Sequence, residues 1–125
     1  MEKHHVTANE WKIMELLWQG PETLMEMVTR LGKSMNWSKS TVTTMIRRMT
    51  EKELITYHTE GRTKVFRAAV SREDVVAQET DSLLERAYRG SIGMMLSAMV
   101  SHKNLSKADI DELYAILKEA QEDAK

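Results

Sequence analysis

Apolar residues recur along this chain first with a helical period, then briefly with the period of strands, then with a helical period again. Trp11, Met14 and Trp18 share one face of a predicted helix, with Ile13 and Leu17 beside them. Thr7 reads as its N-cap, Glu10 completes a capping box, and Val6 is placed to staple onto Trp11. Gly20-Pro21 ends the run near Gln19. Thr23 and Glu26 open a second helix with the stripe Leu24, Met27, Val28 and Leu31, and Gly32 is its expected stop. Ser38 caps a third helix, about residues 38–52. Trp37 and Val42 form its staple, and Val42, Met45, Ile46 and Met49 line its apolar face.

Past Met49 the period changes. Leu54 to Thr59 and Thr63 to Val70 are rich in β-branched and aromatic residues, and Glu60-Gly61-Arg62 between them is a turn signal. Helix, helix, helix, hairpin is the order of a winged helix-turn-helix, the second helix buttressing the third. Opposite its apolar stripe the third helix carries Ser40, Thr44 and Arg47, flanked by Thr41, Thr43 and Arg48. Arg can fork onto guanine O6 and N7, and Thr can offer a hydroxyl to phosphate or a methyl to thymine. A polar helix face is ordinarily just solvated. The hairpin that follows, with Arg62 and Lys64 at its tip and His58 and Arg67 on its strands, makes the pair a candidate recognition helix and wing, the wing at about residues 58–67.

The second half is predicted to be helical. Val70-Ser71 with Asp74 and Val75 starts a helix that reaches about Arg89 and stops at Gly90. A second apolar stripe is Ile92, Met95, Leu96, Met99 and Val100. Leu105-Ser106 with Asp109 and Ile110 starts a last helix, striped by Ile110, Leu113, Tyr114 and Leu117. The segment SIGMMLSAMV is apolar nearly all round, as a helix buried from several directions is. It could be an ordinary core helix, but methionine-rich faces also suit a surface that packs against a partner. The expected fold is therefore mainly α with a small β-hairpin: a winged-helix DNA-binding domain at 1–70 and a helical dimerisation domain at 71–125. Leu83, Ile92, Met95, Leu96, Met99, Ile110, Leu113 and Leu117 are the expected dimer residues. Two readers one DNA turn apart, roughly 34 Å, would read a palindrome.

Charge supports this division. Net charge is −1, but residues 28–70 hold 9 Lys/Arg against 3 Asp/Glu, giving +6, while residues 71–125 hold 7 against 11, giving −4. Positive charge gathers where phosphates would be met. There is no cysteine, which excludes disulfides, thiolate metal sites and Cys nucleophiles. The start MEKHHVTANEW lacks the apolar core of a signal peptide, and no apolar run reaches the about 20 residues of a membrane span, so the cytoplasm is expected. His4, His5, His58 and His102 are scattered without metal or triad spacing. No phosphate-binding loop or dinucleotide fingerprint occurs, and neither an enzyme nor a cofactor is expected.

The chain resembles the penicillinase-repressor and copper-repressor family of bacterial winged-helix regulators. The likeness is carried by VTANEWKIMELLW, WSKSTVTTMIRRMTEKELI, GRTKVFRAAVSRED, RAYRGSIGMML and LSKADIDELYAIL, in family order over roughly residues 6–118. It implies a homodimeric repressor on a palindromic double-stranded DNA operator. It also implies that Ser38, Ser40, Thr41, Thr43, Thr44, Arg48, Arg62 and Lys64 stand at DNA-contact positions; Arg47 is added from the helical wheel. Copper-responsive members end in Cys-x-Cys pairs, which this chain lacks. Antibiotic-responsive members are inactivated by a protease of a membrane sensor system, commonly at an Asn-Phe bond; the matching residues here are Ala98-Met99. Lys39 stands where members often have Pro. Two alternatives remain beside this one: a winged helix that binds a protein partner, and a repressor that answers to a small ligand.

Overall fold

In the computed structural model, residues 5–124 are described; His4 lies outside them. The order is α1 (Ala8–Gln19), β1 (Glu22–Thr23), α2 (Leu24–Met35), α3 (Lys39–Glu51), β2 (Ile55–Glu60), β3 (Thr63–Ala68), α4 (Arg72–Tyr88), α5 (Ile92–His102) and α6 (Lys107–Asp123). It divides into two compact units, Met1–Asp81 and Ser82–Lys125.

Local chemistry sets most of these boundaries. Thr7 and Glu10 close a reciprocal capping box on α1, and Thr23 and Glu26 do the same on α2. Each side chain there satisfies a backbone N–H that the helix cannot. Gly32, the expected stop of α2, lies inside the helix, which runs three residues further to Met35. Asn36 ends it instead, in the left-handed region at φ 58, a conformation that Asn tolerates better than most residues. The extra turn lets Met35 pack against the core beyond Leu31.

The sheet has three antiparallel strands in the order β1-β3-β2. The hairpin was expected; β1 was not. Glu22 and Thr23 pair with Phe66 and Val65, giving the inner part of β3 a neighbour on its second edge. The hairpin register runs from Ile55 opposite Ala68 to Glu60 opposite Thr63, which leaves a two-residue turn, Gly61-Arg62. Gly61 has φ 64 and Arg62 is not left-handed, the pattern of a hairpin turn with glycine at its first central position.

The core lies wholly in the first unit. Ile13, Met14 and Leu17 of α1 meet Met27 and Leu31 of α2, Val42, Ile46 and Met49 of α3, and Leu54, Ile55 and Phe66 around the sheet. Trp11 and Trp18, expected at the centre of the α1 face, flank it half-buried, ring edge to ring face at 5.5 Å. The Trp18 indole N–H donates to the Val70 carbonyl at 2.9 Å. Val75 of α4 is fully buried in the same core. The first turns of α4 thus pack with the winged unit, past the 70/71 boundary set from the sequence.

The second unit is different in kind. Ser106 and Asp109 form a capping box on α6, and Ser91 caps α5. No residue of α5 or α6 is buried. Met95, Leu96 and Leu113 are half-buried, whereas Leu83, Ile92, Met99, Ile110 and Leu117 are exposed. Among the described residues, no helix is long and apolar enough to cross a membrane.

Candidate nucleic-acid interface

α3 is two-sided. Val42, Ile46 and Met49 are buried and Met45 is half-buried, so the predicted stripe seals against α1 and α2. Ser40, Thr41, Thr43, Arg47 and Arg48 are exposed, and Thr44 is half-buried. Not every polar group on the helix is available. The Ser38 hydroxyl accepts from the Thr41 N–H and donates to the Thr41 hydroxyl, both at 3.1 Å. The Thr50 hydroxyl donates back to the Ile46 carbonyl at 2.8 Å. Arg47 pairs with Glu51 at 3.6 Å, an exposed i,i+4 contact worth about 0.3–0.5 kcal/mol that a phosphate could displace. Among the described residues, Arg48 enters no ion pair.

The N-terminus of α3 also stands apart from those of α1 and α2. They carry an acidic residue in the first turn, Glu10 and Glu26; α3 carries none. Its first-turn N–H groups and the positive end of its dipole are not already matched by a carboxylate, which suits a phosphate.

Strand parity sorts the wing's side chains. Residues opposite one another in an antiparallel pair share a face, so Tyr57, Phe66, Thr59 and Lys64 lie on one side. There the Lys64 ammonium sits 4.5 Å from the Tyr57 ring centroid, and this side shares a groove with Thr43, Ile46 and Arg47 of α3. His58, Val65, Thr56 and Arg67 lie on the other side. There His58 Nε2 meets Glu60 at 2.9 Å and Arg67 meets His58 Nδ1 at 3.5 Å. The inner face and tip keep Lys64 and Arg62 without a carboxylate partner among the described residues, while on the outer face Glu60 meets His58 and Arg67 leans on the His58 ring.

One anchoring pair escaped the sequence analysis. Lys52, the C-cap of α3, reaches Glu10 of α1 at 2.8 Å. Burial by itself raises the pKa of Glu10, but the Lys52 ammonium and the Thr7 N–H outweigh it and hold the carboxyl below its ordinary value. The pair pins the end of α3 to α1. Lys52 is thereby spent on the fold. Glu10 was legible only as a capping residue, and no local pattern joins positions 42 apart.

A capped helix with an exposed hydroxyl-and-guanidinium face, followed by a wing whose inner cations turn toward that helix, defines a winged helix-turn-helix DNA-binding module. A family model described as penicillinase repressor matches residues 6–119. The penicillinase repressor of Bacillus licheniformis is 30% identical over 115 residues, 91% of this chain and 90% of that protein. The methicillin resistance regulatory protein MecI of Staphylococcus aureus is 21% identical over 91% of this chain and 94% of its own length. The solution structure of the DNA-binding domain of the repressor BlaI superposes with TM-score 0.53 and 26% identity, covering 58% of this chain and 90% of that domain. The chain belongs to the penicillinase repressor family, whose members are DNA-binding transcriptional repressors and not enzymes.

Proposed function

We propose that this protein is a cytoplasmic homodimeric repressor that occupies a palindromic operator. α3 enters the major groove and offers Ser40, Thr43, Thr44, Arg47 and Arg48 to base edges and phosphates. Its N-terminal turn, with Ser38 and Thr41, lies against the backbone, and Arg62 and Lys64 of the wing hold the adjoining phosphates. The observation that carries this reading is the asymmetry of α3: one stripe is sealed in the core, and the opposite stripe presents hydroxyls and two guanidiniums to solvent.

Pairing is supported by what the second unit leaves uncovered. Ile92, Met94, Met99, Val100, Tyr114 and Leu117 are each at least half exposed. Apolar surface gathered in this way marks an interaction site, and a second copy supplies the cover that each copy lacks. For release, a protease acting at Ala98–Met99 would have to unwind α5, because that bond lies inside the helix.

The test is fluorescence anisotropy with the duplex upstream of the protein's own gene against a scrambled duplex, over a range of salt. Preference for the native sequence, with a log–log salt slope of about −0.9 per phosphate contacted, is the expected result. Equal, weak binding to both duplexes, followed by no enrichment in a genome-wide binding selection, favours the protein-partner reading instead.

A further inference from the structure

A groove of about 890 Å³ lies between the first turn of α2, the C-terminal half of α3 and the inner face of the wing. Sites for small molecules run to about 300–1,000 Å³ and combine apolar walls with a few placed polar groups. The walls here are Leu24, Met25, Ile46, Tyr57 and Phe66. Met25 is 54% exposed, in the exposed class where the other large apolar residues of α1, α2 and α3 are buried or half-buried, and Tyr57 of β2 is 40% exposed. Tyr57 and Phe66 stand side by side, ring centroids 5.4 Å apart.

The lip is cationic. Arg47, Arg62 and Lys64 border the groove, and Glu51 is the one acidic residue among the described residues lining it. Glu51 is engaged with Arg47, which leaves Arg62, and Lys64 from its place beside the Tyr57 ring, to face an incoming anion. Phosphates, which take most of the contacts to a duplex, do not call for the exposed Met25 and Tyr57 below the cations.

We infer that this groove binds a small aromatic carboxylate. Its ring packs on Tyr57, with the Met25 thioether at the edge and Phe66 beneath, and its carboxylate is taken by the Arg62 fork and the Lys64 ammonium. Thr43, Arg47, Arg62 and Lys64 also belong to the DNA-facing set, so ligand and duplex exclude one another. That last step rests on the proposed repressor function; the site itself does not.

The test is a titration of the full chain with 2-naphthoate, followed by amide chemical shifts in two-dimensional NMR. Saturable shifts at Met25, Thr43, Thr50, Tyr57 and Lys64 with Kd below about 1 mM are expected, on the order of the efficiency of small ligands. Met25→Glu should weaken binding at least about tenfold by placing a carboxylate in the groove. A Glu in the first turn of α2 favours the helix dipole, so the fold should persist, as an unchanged shift pattern elsewhere would show. Arg62→Gln should weaken binding without moving the shifts of Met25 in the free protein. Shifts confined to α5 and α6, no saturable shifts, or unchanged affinity in Met25→Glu each overturn the assignment. A chain that binds its upstream duplex but shows no groove shifts loses the ligand site and keeps the repressor reading. A chain with groove shifts but no duplex binding does the reverse.

Discussion

Replacing Lys52 by Met strands the Glu10 carboxylate at the junction of α1 and α3. The Glu10 side chain is 9% exposed and that of Lys52 35%, so the pair sits at the rim of the core. Breaking a fully buried pair from one side costs about 3–5 kcal/mol. Here water still reaches Lys52, and the Thr7 N–H continues to donate to Glu10 at 3.0 Å, so a loss of about 1.5–3 kcal/mol follows. For a cooperative unit of this size that lowers the thermal midpoint by about 10 °C. The sign with pH is fixed by Glu10, whose folded pKa lies below the ordinary 4.5. Its contribution is fully present above that ordinary value and is lost as pH falls through the folded pKa. The penalty of Lys52→Met should therefore be large at neutral pH and shrink toward about pH 3. The assay is urea unfolding of the wild type, Lys52→Met, Glu10→Gln and the double variant at both pH values. A coupling in the double-mutant cycle under about 0.3 kcal/mol, or an equal penalty at both pH values, refutes the reasoning.

Glu22 should behave in the opposite sense. Its buried carboxyl has a raised pKa, chiefly by desolvation and against the pull of Arg30, and one oxygen has no hydrogen-bond partner among the described residues. Its folded pKa lies above the unfolded one, so stability is lost as pH rises through that window; Glu22→Gln should stabilise the protein at neutral pH by about 0.5–1.5 kcal/mol, read as a higher urea midpoint. In the anisotropy assay Arg48→Ala should weaken operator binding by about 1–3 kcal/mol, and Lys64→Gln should reduce the magnitude of the salt slope by about 1. Arg67→Ala, on the face of the wing opposite to Lys64, should change either quantity far less. Ile92→Glu with Leu117→Glu should convert a dimer to a monomer in sedimentation and cut operator affinity while isolated helicity in circular dichroism is kept.

What was legible in the sequence was local. Thr7, Thr23, Ser38 and Ser106 announce their helices because each hydroxyl meets an N–H three residues on. The α3 stripe and the Gly61 turn were legible for the same reason, since period and turn chemistry act over a few residues. Gly32 misled because glycine is tolerated inside a helix at a cost of about 1 kcal/mol, and the packing of Met35 outweighs that. β1 is two residues long and exists only because β3 offers a free edge far along the chain. The Glu10–Lys52 pair and the groove behind α3 likewise join distant segments, and nothing in the order of residues joins them. The opposite fates of Lys64 and Arg67 follow from strand register, which composition does not reveal.

That register has a consequence for how the wing can change. Surface loops usually absorb insertions freely, yet here a single residue added within a strand beyond the tip would reverse the side on which every later residue of that strand stands. Lys64 would leave the helix-facing side, Phe66 would leave the core, and Val65 would take its place. Length variation in this hairpin is therefore restricted to steps of two, or to the Gly61-Arg62 turn itself. Substitution at Arg62 and Lys64, by contrast, meets little constraint from the core, since both are exposed and the Lys64 contact is with the half-exposed Tyr57 ring. The wing is built so that its chemistry can drift while its phase cannot.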